Sequence, residues 1–136
     1  MTLPPALAAL VVKDGVSLGL LGDADRALAL ALASTVFEAG REHREAEVNR
    51  LLSAWLEGAG VMLRTDHVEL RRWLVDTGFL SRDGFGRAYV RGEAEAARAA
   101  ALLGEGSPST LEAAVLATRA AKAAEREARR RAFAPS

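Results

Sequence analysis

The sequence predicts a mostly α-helical protein carrying one small β-hairpin. Three observations point there. Alanine supplies 29 of the 136 residues, and alanine is the strongest helix former. Apolar residues recur at helical spacing in several stretches. One Asp-Gly pair sits between two short alternating runs, the mark of a hairpin.

From the N-terminus, Pro4 and Pro5 stand where a helix can begin, and Leu7, Leu10 and Val11 follow at helical spacing up to Lys13. Asp14-Gly15 reads as a turn. The apolar run Val16 to Leu21, with Gly19 inside it, reads as a short strand. Gly22 breaks it, Asp23 is placed to cap the next helix, and Asp25 suits its first turn. That helix spans about residues 24–36. Its leucines alternate with alanines, so it should be buried on most sides.

Glu38-Ala39-Gly40 ends this segment, and Arg44 or Glu45 opens another helix reaching about Leu56. Val48, Leu51, Leu52 and Trp55 form its apolar face. Gly58 and Gly60 stop it. Asp66 then reads as an N-cap, with Glu69 three residues on. On the helix from Asp66 to Thr77, Leu70, Trp73, Leu74 and Thr77 share one side, and Val68, Arg71, Arg72 and Val75 the other. Gly78 suits the position after its end. Phe79–Arg82, Asp83–Gly86 and Arg87–Arg91 then read as strand, turn, strand, with Gly84-Phe85-Gly86 at the tip. The order helix, helix, turn, helix, hairpin is that of a winged helix-turn-helix.

Beyond Gly92, residues 93–103 form an Ala-rich helix and Gly104–Pro108 a loop. Ser109-Thr110-Leu111-Glu112 reads as a capping box opening a long helix to about Arg131. Leu111, Val115 and Leu116 can anchor its start, and its second half, lacking large apolar residues, should project. The chain thus divides into a winged-helix-like unit over residues 1–92 and C-terminal helices over 93–136.

Eighteen basic and eighteen acidic residues give zero formal net charge, which argues against a globally basic nucleic-acid binder and leaves only local patches. With no cysteine and two histidines, disulfides, zinc fingers and iron–sulfur clusters are out and a histidine-rich metal site is implausible. The apolar runs fall short of a membrane span, and Met1–Pro5 has no basic leader segment, so the expected compartment is the cytoplasm, with no membrane partner. No phosphate loop, HExxH or Gly-x-Ser-x-Gly occurs, so neither an enzyme nor a cofactor is expected.

The segment Glu45-x-x-Val48-Asn49, then Asp66-His67-x-x-Leu70-Arg71-Arg72-x-Leu74-Val75-x-x-Gly78-x-Leu80-x-Arg82, then Tyr89 resembles a bacterial domain-of-unknown-function family. That family's pattern is E-x-x-V-N, then D-H-x-x-L-R-R-x-L-V-x-x-G-x-L-x-R, then a tyrosine after a glycine-containing turn. The resemblance covers about residues 7–91, with Leu10, Val11, Phe37 and Gly40 adding to it. Here the connector over 54–65 is longer, and His43 replaces an aromatic residue. The family often sits C-terminal to helix-turn-helix domains of the ArsR or MarR kind. The resemblance therefore implies a role in transcriptional regulation and implies no enzymatic activity.

Three basic groups are candidate nucleic-acid contacts. Arg71 and Arg72 lie on the outer face of the second helix of the pair, where they reach phosphates or a guanine edge, or else pair with Glu69 and Asp76. Arg82, Arg87 and Arg91 lie on the hairpin, and serve as a basic wing or simply protect its edge. Arg119, Lys122, Arg126 and Arg129 form a stripe at spacings of 3, 4 and 3, with Arg130 beside it. Residues 1–118 hold 12 bases and 16 acids, net −4, so positive charge gathers in this arm. It either tracks phosphates or is a solvated face. His67 reads as a capping or packing residue, Asn49 as a bridge to connector backbone, and Trp55, Trp73, Phe79 and Tyr89 as core. Two functions compete: DNA binding in transcriptional regulation, and a protein-interaction module that dimerises through the C-terminal helices.

Overall fold

A computed structural model describes residues 1–85, 87–104 and 106–134. The described residues form six α-helices, one 3-10 turn and a small antiparallel sheet.

Helix α1 (Pro5–Val11) starts with proline at its first position, where no amide hydrogen is needed. It buries Leu7, Leu10 and Val11. Gly15 turns the chain at φ +64°. The strand predicted over Val16–Leu21 does not form. Val16 makes a single parallel bridge to Leu63, and Leu18–Leu20 closes into the 3-10 turn. A cation decides this: Arg26 reaches back, its Nε donating to Leu18 O at 2.9 Å and its Nη2 to Leu21 O at 2.7 Å. Leu20 points into solvent.

Helix α2 (Asp23–Ser34) is the centre of the molecule. Every residue from Leu28 to Ser34 is buried, as the Leu/Ala alternation predicts. Helices α1, α4 and α5 pack on it, and the alanines let them approach. Gly22, not Asp23, holds the N-cap position. Asp23 is the first helical residue, and its carboxylate meets Arg26 at 3.1 Å.

Strand β1 (Glu42–Arg44) runs into helix α3 (Glu45–Glu57). α3 buries Val48, Leu52 and Trp55, and ends at Gly58. Helix α4 (His67–Asp76) opens on the predicted cap: Asp66 Oδ1 accepts from the Glu69 amide at 2.8 Å. Leu70 and Leu74 are buried. Trp73 is only half-buried and lies under the Arg26 guanidinium, 4.6 Å from the ring centre. It is thus a covered surface residue, whereas Trp55, Phe79 and Tyr89 belong to the core.

Strands β2 (Ser81–Arg82) and β3 (Ala88–Val90) form the hairpin, with β3 central in the order β1-β3-β2. Tyr89 faces His43 on one side and Arg82 on the other. The Asp83 carboxylate shapes the turn by accepting from the Phe85 amide at 3.2 Å and the Arg87 amide at 2.8 Å. Gly86, read as part of the tip, lies outside the described residues.

Helix α5 (Glu93–Leu103) lays Ala99 and Leu103 against the core. Helix α6 (Pro108–Ala132) is capped by Ser107, whose Oγ accepts from the Thr110 amide at 3.2 Å. The predicted cap at Ser109 is therefore two residues late, because Pro108 already fits the first helical position. Leu111 and Val115 are buried, but Leu116 remains 44% exposed. It faces away from the body and is no anchor. Of the loop read over Gly104–Pro108, Glu105 lies outside the described residues. No described helix is long and apolar enough to cross a membrane.

Candidate nucleic-acid interface

Helix α4 and the hairpin meet along a shallow groove of about 150 Å³, lined by Val68, Arg71, Arg72, Val75, Asp76, Arg82 and Tyr89. The groove exists because Leu70 and Leu74 turn the opposite face of α4 into the core. It also needs Tyr89 to be buried between β1 and β2. Arg72 and Arg82 are exposed there, and neither forms an ion pair among the described residues. The pairs Glu69–Arg72 and Arg72–Asp76, open to Arg72 by helical spacing, do not form.

Arg71 is different. Its side chain is only 19% exposed. Its Nη1 donates to Asn49 Oδ1 at 2.5 Å and its Nη2 lies 3.3 Å from Glu45 Oε1. The guanidinium stands 5.9 Å from the Tyr89 ring centre, and the Tyr89 hydroxyl donates to Glu45 at 3.4 Å. Glu45, Asn49, Arg71 and Tyr89 thus form one cluster tying α3, α4 and β3 together. Asn49 answers a side chain, and not the connector backbone that its position suggests.

The hairpin arginines separate. Arg87 is exposed at the tip, 5.9 Å from the Phe85 ring centre. It shares a broad, open groove of about 660 Å³ with Arg44, Glu42 and Glu45. Arg44 reaches this groove from β1, which gives no strand signal of its own in the sequence. Arg91 leaves the surface. It turns inward, its Nη1 3.4 Å from Phe37 O and its Nε buried without a partner. It does not join the groove.

The C-terminal arm divides too. Arg119 donates through Nη1 to Val11 O and Lys13 O, both at 2.8 Å, and through Nη2 to Asp14 at 2.7 Å. It caps the C-terminal end of α1 and docks α6, so its charge is already used. Asp14 is held below its ordinary range, first by that hydrogen bond and then by the Arg119 charge. Lys122, Arg126, Arg129 and Arg130 lie on the part of α6 beyond its last buried residue, Val115. Glu125 pairs with Lys122 at 4.0 Å and Arg129 at 2.7 Å, and Glu127 pairs with Arg130 and Arg131. Arg126 has no ion pair among the described residues.

The two histidines are apart from any such surface. His43 is buried, its Nδ1 2.9 Å from Glu47 Oε1 and its ring edge-on to Phe37. The Glu47 carboxyl is held below its ordinary range, chiefly by that hydrogen bond and also by Arg41. His67 is the first residue of α4 and is half-buried. Among the described residues no three His, Asp or Glu side chains gather as metal ligands do.

The fold and groove define a small, mostly helical protein with a three-stranded antiparallel sheet and paired arginines at the helix–hairpin junction. The model of the family described as "uncharacterized protein conserved in bacteria (DUF2087)" matches residues 23–91, and the chain belongs to that family. The match runs from α2 to Arg91. It contains the whole Glu45–Asn49–Arg71–Tyr89 cluster and leaves α1, α5 and α6 outside. Comparison with curated proteins and with solved structures finds no match.

Proposed function

We propose that this protein is a non-enzymatic, winged-helix-type DNA-binding protein that acts in transcriptional regulation in the cytoplasm. The order α2, β1, α3, α4, β2, β3 with sheet order β1-β3-β2 supports the winged-helix reading. In it α4 is the recognition helix and the β2–β3 hairpin the wing. The association with ArsR- and MarR-type regulators that the sequence resemblance implies is in line with this reading.

One observation carries it. Arg72 on α4 and Arg82 on β2 line the same groove, both exposed and without an ion pair among the described residues. A duplex laid there meets two cations on rigid elements, with Arg87 at the wing tip. Zero net charge makes this a patch-driven interaction, with steep salt dependence. Lys122, Arg126, Arg129 and Arg130 add a second basic segment, and Arg71 supports the groove from beneath.

The test is binding of a generic DNA duplex to the full chain at two salt concentrations. Binding that weakens with salt, and weakens further in the Arg72→Ala, Arg82→Ala double variant, supports the reading. Absence of binding at low salt removes it.

Leu116 favours a second reading, a homodimer formed through the C-terminal helices. It is 44% exposed on α6, and Ala113, Ala117, Ala120 and Ala124 are exposed along the same helix. Light scattering on the full chain and on Leu116→Glu distinguishes a dimer that dissociates from a monomer throughout.

A further inference from the structure

Arg91 sits in a setting that the groove does not explain. It follows β3 and is held by its own carbonyl, which accepts from the Gly40 amide at 2.7 Å. Its side chain enters a crevice of about 220 Å³ between the end of α2, α5 and the start of α6. The walls are apolar: Ala99 and Leu103 from α5, and Leu111 from α6, with Thr35 at one side. The crevice shares no lining residue with the Arg72/Arg82 groove.

The guanidinium is poorly satisfied there. Its Nε is buried and has no acceptor, and the Nη1 contact to Phe37 O is long at 3.4 Å. Arg91 forms no ion pair among the described residues. A buried donor without an acceptor is costly, and more so when charged. Burial lowers the Arg91 pKa from its ordinary value, and no anion among the described residues offsets it. Other inward-facing arginines here do have partners: Arg71 has Glu45 and Arg119 has Asp14.

We propose that the Arg91 crevice binds a small organic monocarboxylate with an apolar body, of the size of benzoate or hexanoate. The carboxylate gives the Arg91 guanidinium, which lines the crevice, the counter-ion that it lacks among the described residues. The apolar body replaces water against Ala99, Leu103 and Leu111. Inorganic anions fit poorly, because these walls cannot replace their hydration.

The full chain is titrated with benzoate and with hexanoate, followed by amide chemical shifts at Gly104 and Gly106, both on the crevice rim. Benzamide and inorganic phosphate serve as comparison probes. Saturable shifts with the two carboxylates are expected, and none with benzamide or phosphate. Arg91→Met should weaken benzoate binding at least about tenfold, the loss of one charge-assisted hydrogen bond. Ala100→Phe places a ring at the exposed mouth without entering the core, and should block binding equally. It decides the matter if Arg91→Met fails to fold. The proposal is overturned if wild type shows no saturable shift, if benzamide or phosphate binds as well as benzoate, or if either folded variant retains full affinity.

Discussion

Arg71 Nη1, on α4, lies 2.5 Å from Asn49 Oδ1, on α3, across 22 positions of sequence. The contact ties the proposed recognition helix to the helix beneath it. Because Arg71 is largely withdrawn from solvent, Asn49→Ala should cost about 1.5–3 kcal/mol, the range for hydrogen bonds to charged groups. Arg71→Lys should recover little of an Arg71→Ala loss, since one ammonium cannot span Asn49 and Glu45 as a planar fork does. Urea denaturation of the single and double variants measures both the cost and the coupling. Additive losses would show that the two side chains act separately.

Salt dependence should sort the surface arginines. Arg72→Ala and Arg82→Ala should each lower the slope of log affinity against log salt by about 1, as expected for one lost phosphate contact. Arg91→Met should leave that slope unchanged. Fluorescence anisotropy with a labelled duplex reads it, and a lowered slope for Arg91→Met would place that side chain on DNA after all.

Arg119 carries the attachment of α6 after Val115. Arg119→Ala should destabilise the chain by about 1–2 kcal/mol, since two backbone carbonyls lose their charged donor. Amide exchange along the latter half of α6 should quicken more than exchange in α2. Uniform quickening of both helices would mean that Arg119 acts on the whole fold, not on the docking of α6.

Gly60 has no room for a side chain, because a Cβ there would overlap the six-membered ring of Trp55. Gly60→Ala should cost about 1–3 kcal/mol by overpacking, with a changed tryptophan fluorescence spectrum. Gly78→Ala meets a different obstacle, a backbone φ of +80°. Its cost should be about 1 kcal/mol with the spectrum unchanged.

Three carboxyls are held below their ordinary values of 3.8 for Asp14 and 4.5 for Glu47 and Glu95. The main cause is a hydrogen bond in each case, from Arg119, His43 and Ser81 respectively. A carboxyl whose folded pKa is depressed contributes stability that is complete above its unfolded pKa and is lost as pH falls through the folded one. For these groups, unfolding free energy should therefore be steady down to about pH 5 and decline through the acid range below it. Glu47→Gln should flatten part of that decline, and an unchanged profile would show that the His43 contact contributes nothing.

Much of this architecture is legible in the residues themselves. The Asp66…Glu69 cap, the Leu70/Leu74 spacing and Asp83-Gly84 mark α4 and the hairpin because their signals are local. Strand β1 is hidden because two of its three residues are charged, and it exists only through pairing with β3. The fates of Arg91 and Arg119 are hidden for a related reason. Their acceptors lie 54 and 108 positions away, and sequence reports their charge but not their burial. The expected helix starts fall one or two residues late, since Gly22 takes the cap position of α2 without a side-chain bond and Pro108 fits the first position of α6.

The all-round enclosure of α2 also bears on how this molecule can be taken apart. Two of its walls, α1 and α5, come from outside the span 23–91. A fragment trimmed to that span would leave a leucine–alanine rod wet along two flanks, inviting clumping during purification. Leu3, just ahead of α1, and Leu103, at the end of α5, are buried as well. Any excised piece, fusion partner or transplanted module therefore needs α1 and α5 with it.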